Sequence, residues 1–294
     1  MSASEEVQKI TQQVVDSFGP LTTPRMREVM SSLVRHLHDF AREVSLQYDE
    51  WEAGVRYMNS VGQASTPTRN EGHRLSNILG LESLVTQISY VVAADSTQQA
   101  TSPSILGPFW SPYAPYCENG DNIARSPHQG QTCVMHGHVT DLRTNRAIPN
   151  AIVDIWQASS NGKYDFQDTE NQEPMNLRGK FHTNQHGYYY FYCLKPTAYS
   201  LPHDGPAWEL LQALDRHSMR PAHIHLMVSH PEYVPVITQL YPDDDPYIYS
   251  DTVFAVKDDL VVNFTPREND PKAELDLHFD IVLEPASNTI SSFL

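Results

Sequence analysis

The sequence predicts a mainly β protein with an α-helical N-terminal part: a β-sandwich domain joined to a helical layer. Three observations predict it. Apolar residues recur every three or four positions along the first 100 or so residues, without strand patterns. Beyond about residue 130, short β-branched or aromatic runs are bounded by turn residues. The 294 residues include 21 prolines and 15 tyrosines, which favours a loop-rich β architecture. Composition changes at Thr101-Ser102-Pro103-Ser104, so the expected domains are residues 1–103 and 104–294.

In the first domain Thr23 followed by Pro24 reads as an N-cap with proline at the first helical position. Met26, Val29, Met30, Leu33, Leu37, Phe40 and Val44 then form one apolar stripe of an amphipathic helix. Trp51, Val55, Met58 and Val61 mark a second helix. Leu75, Ile78, Leu79, Leu81, Leu84, Val85 and Ile88 mark a third, interrupted at Gly80. Prolines 103, 108, 112 and 115 with Gly107 and Gly120 make a long connecting loop. Strands are expected at Val134–Val139, Ala151–Trp156, Tyr188–Leu194, His223–Val228 and Leu260–Phe264. Alternation of Leu275, Leu277, Phe279, Ile281 and Leu283 with polar residues predicts one more, half-buried strand. Short strands at this spacing form a sandwich or barrel.

The net charge of −16 argues against nucleic-acid binding, which needs a basic footprint. Cys117, Cys133 and Cys193 are odd in number and widely spaced, as expected of free thiols in a reducing compartment. The start Met1-Ser-Ala-Ser-Glu-Glu has no leader pattern, and no apolar run spans a membrane, so a cytoplasmic protein is expected.

Arg220-Pro221-Ala222-His223-Ile224-His225-Leu226-Met227-Val228 carries the chemistry. In a strand His223 and His225 point the same way, with Cα atoms roughly 6–7 Å apart, while Ile224, Leu226 and Val228 fill the core side. Two neutral imidazoles on one face suit a borderline transition metal. An Asn161-Gly162 turn presents Tyr164, and the loop after the strand at 188–194 presents Tyr199. Taken singly, each tyrosine reads as a packed aromatic with a satisfied hydroxyl.

Together with Ile237-Thr238-Gln239-Leu240-Tyr241, this order of motifs resembles the intradiol ring-cleavage dioxygenases, in particular the catechol/hydroxyquinol 1,2-dioxygenase branch. The resemblance runs through Arg69-Asn70-Glu71-Gly72, Ile105-Leu106-Gly107-Pro108-Phe109, Asn176-Leu177-Arg178-Gly179, Asp204-Gly205-Pro206 and Asp251-Thr252-Val253-Phe254. It implies an oxidoreductase whose catalytic domain is the sandwich. One Fe(III) per chain would be held by Tyr164, Tyr199, His223 and His225, a donor set whose phenolates favour the ferric state. An ortho-diphenol would be opened between its hydroxyls with O2 to a cis,cis-muconate-type diacid. Tyr199 would leave the metal as substrate binds and take up a proton. Arg220 and Gln239 match the catalytic pair beside the metal. The resemblance also implies a homodimer through the N-terminal helices, with a phospholipid-like molecule at the interface.

By the same resemblance the pocket wall comprises Arg74 and Asn77, the loop residues Ile105, Gly107, Pro108 and Phe109, then Leu201, Pro202 and Val253. Relatives generally carry an aliphatic residue where this chain has Arg74, and hydroxyquinol enzymes an Asp where it has Asn77. Gaining a cation and losing an anion favours a carboxylated catechol such as protocatechuate. Otherwise Arg74 snorkels to solvent. Two other classes stand beside this reading. A zinc hydrolase would use His223 and His225 with a carboxylate or a further histidine such as His136 or His138. A non-enzymatic β-sandwich binding module would hold no metal.

Overall fold

The computed structural model of the chain describes residues 3–66, 69–93 and 99–286. The stretch expected to be helical includes residues 1–2, 67–68 and 94–98, which lie outside the described residues. The chain divides into two compact units, Met1–Ser60 and Val61–Leu294.

The first unit contains α1 (Ala3–Asp16), α2 (Pro24–Glu43) and most of α3 (Tyr48–Ala64). Thr23 caps α2, its hydroxyl accepting the Met26 N–H at 3.3 Å. The α2 stripe is not covered in the single chain: Met26, Leu33, Leu37, Phe40 and Val44 are 46–55% exposed.

In the second unit, α4 (Glu71–Ile78) and α5 (Leu81–Ala93) meet at Gly80, whose φ of +73° ends the first of them. The described residues thus carry five helices before the β part, where the apolar pattern predicted three. The amphipathic stripe did not single out α1, and the Gly80 interruption separates two helices.

The β part runs β1 (Tyr116–Cys117), β2 (Thr132–Asp141), β3 (Ile152–Trp156), β4 (Arg178–His182), β5 (Tyr188–Leu194) and β6 (Tyr199–Ser200). It continues with α6 (Gly205–Ala213), β7 (Met219–Arg220), β8 (Ile224–Ser229), β9 (Val236–Pro242) and β10 (Val261–Val262). It closes with β11 (Thr265–Pro266), β12 (Leu275–His278) and β13 (Ile281–Leu283). One sheet has the order β1-β4-β3-β8-β9-β10. A second has β11-β12-β2-β13, with β5 also paired to β2. Their facing residues make one core: Val153, Ile155, Phe181, Ile224, Leu226 and Val228 from the first, Met135, Phe191, Cys193 and Leu277 from the second. Phe181 and Phe191 stack across it at 4.8 Å.

The alternating segment 275–283 is two strands rather than one. Both run parallel to β2, and the break at Phe279-Asp280 sits on Gly137, where a Cβ would collide with the Phe279 carbonyl oxygen. There the His138 N–H turns to the Asp280 carboxylate at 2.8 Å. The strand expected over 260–264 shrinks to Val261–Val262. Helix α6, which no strand pattern announced, buries Ala207 and Leu211 against Ile78 of α4. Among the described residues no helix is long and apolar enough to cross a membrane.

Asp154 on β3 is a buried carboxylate with one strong partner, the Trp110 indole N–H at 3.1 Å, and Lys180 at 3.9 Å. Burial pushes its carboxyl up to about 6. The folded state therefore binds this proton more tightly than the unfolded chain does. Its contribution to stability is full below pH 4 and is lost as pH rises to about 6. Relative to wild type, Asp154→Asn is expected to gain about 2 kcal/mol of unfolding free energy between pH 4 and pH 7. Urea titrations across that range measure it, and parallel profiles for the two proteins would remove Asp154 from this role.

Candidate active site

Register brings the residues together. Across β3, β8 and β9, Trp156, His225 and Gln239 are direct partners, so their side chains share one face of the six-stranded sheet. Trp156 stacks on His225 with ring centroids 4.7 Å apart and planes 10° from parallel. The β6–β7 ribbon pairs Tyr199 with Arg220. His223, one residue before β8, lies with its ring 4.7 Å from His225 and 5.4 Å from Tyr199. Tyr164 and Tyr199 meet edge to face at 6.0 Å. The Asn161-Gly162 turn has the expected form: Gly162 has φ +76°, and a Cβ there would press on Tyr199. Four aromatic side chains from three distant segments are thus linked by successive ring contacts.

Their protonation follows from their neighbours. The His223 Nδ1–H donates to the Pro221 carbonyl at 2.7 Å, which leaves Nε2 as a lone pair; it receives an N–H from Arg220 Nη1 at 3.1 Å. Burial, with the Arg220 charge nearby, holds both imidazoles well below the usual histidine range, so both are neutral. Burial pushes the Tyr164 phenol well above the usual range. Its hydroxyl is 1% exposed as a residue and has no hydrogen-bond partner. His225 Nδ1 is also buried without a partner. An orphaned phenol beside two neutral imidazoles is costly in a finished core and fits a site built for a cation. Gly107, at φ +69°, lets the loop pass His225, since a Cβ would lie 3.3 Å from its Cε1.

Arg220 is held on every side. Asp251 takes its Nε and Nη2 at 3.2 Å each, and Gln239 Oε1 takes Nη2 at 2.9 Å. Gln239 in turn accepts from the Tyr241 hydroxyl at 2.9 Å and donates to the Ile105 carbonyl at 2.6 Å. Asp251 also accepts the backbone N–H groups of Val253 and Ala255. One carboxylate therefore fixes both the guanidinium and the loop that carries Val253. Sequence reasoning singled out the Asp251-Thr252-Val253-Phe254 stretch without assigning that job. It passed over Trp156 and Tyr241, which look like ordinary core aromatics.

Arg74, Asn77, Ile105, Gly107, Pro108, Phe109, Leu201, Pro202 and Val253 line one cavity, together with His73, Tyr199 and Arg220. Tyr164, His223 and His225 are buried and are not among these lining residues. Arg74 does not snorkel: its side chain is 13% exposed and pairs with Glu71 at 2.6 Å. Asn77 is buried and, with its amide oriented to donate, bonds the His73 carbonyl and the Glu82 carboxylate. His73, which the sequence did not flag, binds Glu82 at 2.7 Å, and that bond raises its basicity. Arg178, in a motif noted but given no role, sits over the Tyr164 ring and donates to the Phe109 carbonyl and to Asp165. His136 and His138 are elsewhere, on β2, beside Asp276 and Asp280.

The chain is similar to known proteins over most of its length. The family model described as "Dioxygenase" matches residues 105–285, and "Catechol dioxygenase N terminus" matches residues 23–97. The chain is 54% identical over 93% of its length to the intradiol ring-cleavage dioxygenase prcA of Aspergillus niger, covering 87% of that protein. It is 41% identical to the catechol 1,2-dioxygenase of Candida albicans, over 96% of this chain and 93% of the other. The solved hydroxyquinol 1,2-dioxygenase of Pseudomonas putida DLL-E4 superposes with a TM-score of 0.87 at 35% identity, covering 96% of this chain and 100% of that one. The chain belongs to the intradiol dioxygenase family. It is an oxidoreductase that cleaves the ring of diphenols between the two hydroxyls. The non-enzymatic binding module is thereby set aside. Membership of an oxidoreductase family sets the zinc hydrolase aside as well.

Proposed function

We propose that the protein opens an ortho-diphenol with O2 at one Fe(III) held by Tyr164, Tyr199, His223 and His225, and that a carboxylated catechol such as protocatechuate is its favoured substrate. The buried, partnerless Tyr164 hydroxyl beside two neutral imidazoles supports the metal. Ferric iron bound there would supply a Lewis-acidic, redox-active centre that makes the diphenolate ring susceptible to dioxygen. The chain's own residues do the rest. Tyr199, as a metal ligand, would be a phenolate, and its oxygen would take up a proton from a substrate hydroxyl. The Arg220 guanidinium stabilises negative charge on the substrate oxygens, and Gln239 holds it there. Ile105, Phe109, Leu201, Pro202 and Val253 grip the ring and exclude water. Arg74 pairs with the ring carboxylate.

We place the same protein in the cytoplasm, where its three free thiols remain reduced. The half-exposed stripe on α2 supports a homodimer through the N-terminal helices, with an apolar, phospholipid-like molecule at that interface.

An anaerobic optical titration of the iron-loaded protein with catechol, hydroxyquinol and protocatechuate, followed by admission of air and product identification, tests this reading. Arg74→Leu is expected to lower kcat/KM for protocatechuate by about 30-fold relative to catechol, the cost of one lost charge-assisted pair. Unchanged protocatechuate kinetics in that variant would end the carboxylate reading.

A further inference from the structure

Arg74 does not stand alone at the cavity. Glu71, one helical turn earlier on α4, is fully buried, and its Oε1 is shared by Arg74 Nη1 at 2.6 Å and Arg69 Nε at 2.7 Å. Its Oε2 has no partner. The remainder of the Arg69 fork is taken up by Asp204, at 2.7 Å and 3.0 Å to its carboxylate and 3.1 Å to its carbonyl. Gly205, at φ +78°, brings this loop close: a Cβ there would lie 2.6 Å from Arg69 Nη2 and 3.3 Å from Glu71 Oε2. Two cations and two anions therefore cancel. Arg69 is spent on this chain of charges, whereas Arg74 uses one N–H on Glu71 and lines the cavity.

We propose that Glu71 is the built-in counter-ion of Arg74, and that it limits how tightly the site holds anions so that the product leaves. This rests on the reading that Arg74 receives a substrate carboxylate. The charge balance of the reaction gives the reason. A carboxylated catechol enters as a monoanion. Both atoms of O2 are incorporated as the carbon–carbon bond between the hydroxyl-bearing carbons breaks, and each of those carbons becomes a carboxyl group. The two new acids ionise, releasing two protons, and the product is a trianion. An unopposed guanidinium in a half-dry cavity would attract that trianion far more strongly than the substrate. Glu71, placed on the guanidinium permanently, offsets part of that attraction. Arg69 keeps Glu71 from neutralising Arg74 altogether, and Asp204 anchors Arg69.

Two variants test this with opposite signs. Glu71→Gln keeps an acceptor and removes the charge. The ratio of kcat/KM for protocatechuate to that for catechol is expected to rise about fivefold, and the tricarboxylate product to bind at least as much more tightly by calorimetry. Arg69→Gln leaves Glu71 with Arg74 as its main partner, and the same ratio is expected to fall about fivefold. In the Glu71→Gln/Arg74→Leu double variant the Glu71 effect on the ratio vanishes. A ratio that moves the same way in both single variants, or in neither, overturns the counter-ion role. If Arg74→Leu abolishes the preference for protocatechuate while Glu71→Gln leaves product binding unchanged, the counter-ion role alone fails. If Arg74→Leu changes nothing, the carboxylate reading beneath it fails.

Discussion

Arg220→Ala is expected to lower kcat by about 100-fold or more while iron content and the visible phenolate-to-iron absorption stay within about 20% of wild type. Arg220 is buried, with 3% of its surface exposed, and its ionised form is stabilised by Asp251. Its contacts fix its position without swinging: Asp251 and Gln239 hold the fork from behind, and His223 lies in front. A cation preorganised in this way costs no reorganisation when negative charge develops on a substrate oxygen. Removing it leaves Asp251 as a buried, uncompensated carboxylate, so some loss of stability accompanies the loss of turnover. Arg220→Lys separates the two effects. It keeps a charge for Asp251 but loses the planar fork, so stability returns more fully than kcat. Near-normal kcat in Arg220→Ala, with iron bound, would show that the reaction does not use this cation.

The parts of this molecule that were readable in the sequence are those with a local periodic or steric cause. Thr23-Pro24 starts a helix because the cap and the proline act within one turn. Ile224, Leu226 and Val228 reach the core because strand side chains alternate. Gly80 and Gly162 stand where the backbone takes positive φ. The gathering of Tyr164, Tyr199, His223 and His225 has no local cause. It depends on the pairing of β3 with β8 and of β6 with β7, which no window of sequence contains. Family resemblance supplied that information through motif order. What neither route gave a role is the layer behind the site. Asp251, Tyr241 and Trp156 act through register and burial, and their residue types are ordinary for a β-sandwich core. The break of the 275–283 strand was hidden for a related reason: the alternation of apolar residues continues across it, and only Gly137 on the neighbouring strand betrays the kink.

Tyr164→Phe separates a metal ligand from a packing residue most sharply, because its two expected effects have opposite signs. In the chain without metal the Tyr164 hydroxyl is buried and bonded to nothing, and such an orphan costs about 1–3 kcal/mol. Phenylalanine keeps the ring against Phe109 at 4.7 Å and beneath Arg178, and deletes only that liability. The metal-free variant is therefore expected to be about 1 kcal/mol more stable than the metal-free wild type. The same variant would lose a phenolate that a ferric ion strongly prefers, so iron affinity is expected to fall by about 100-fold or more, with loss of the visible phenolate-to-iron absorption and of activity. Denaturation of both metal-free proteins, beside iron titrations of each, reads the two signs independently. A hydroxyl present only to fill the core would give a less stable variant that still takes up iron and stays coloured, and that combination would remove Tyr164 from the metal site.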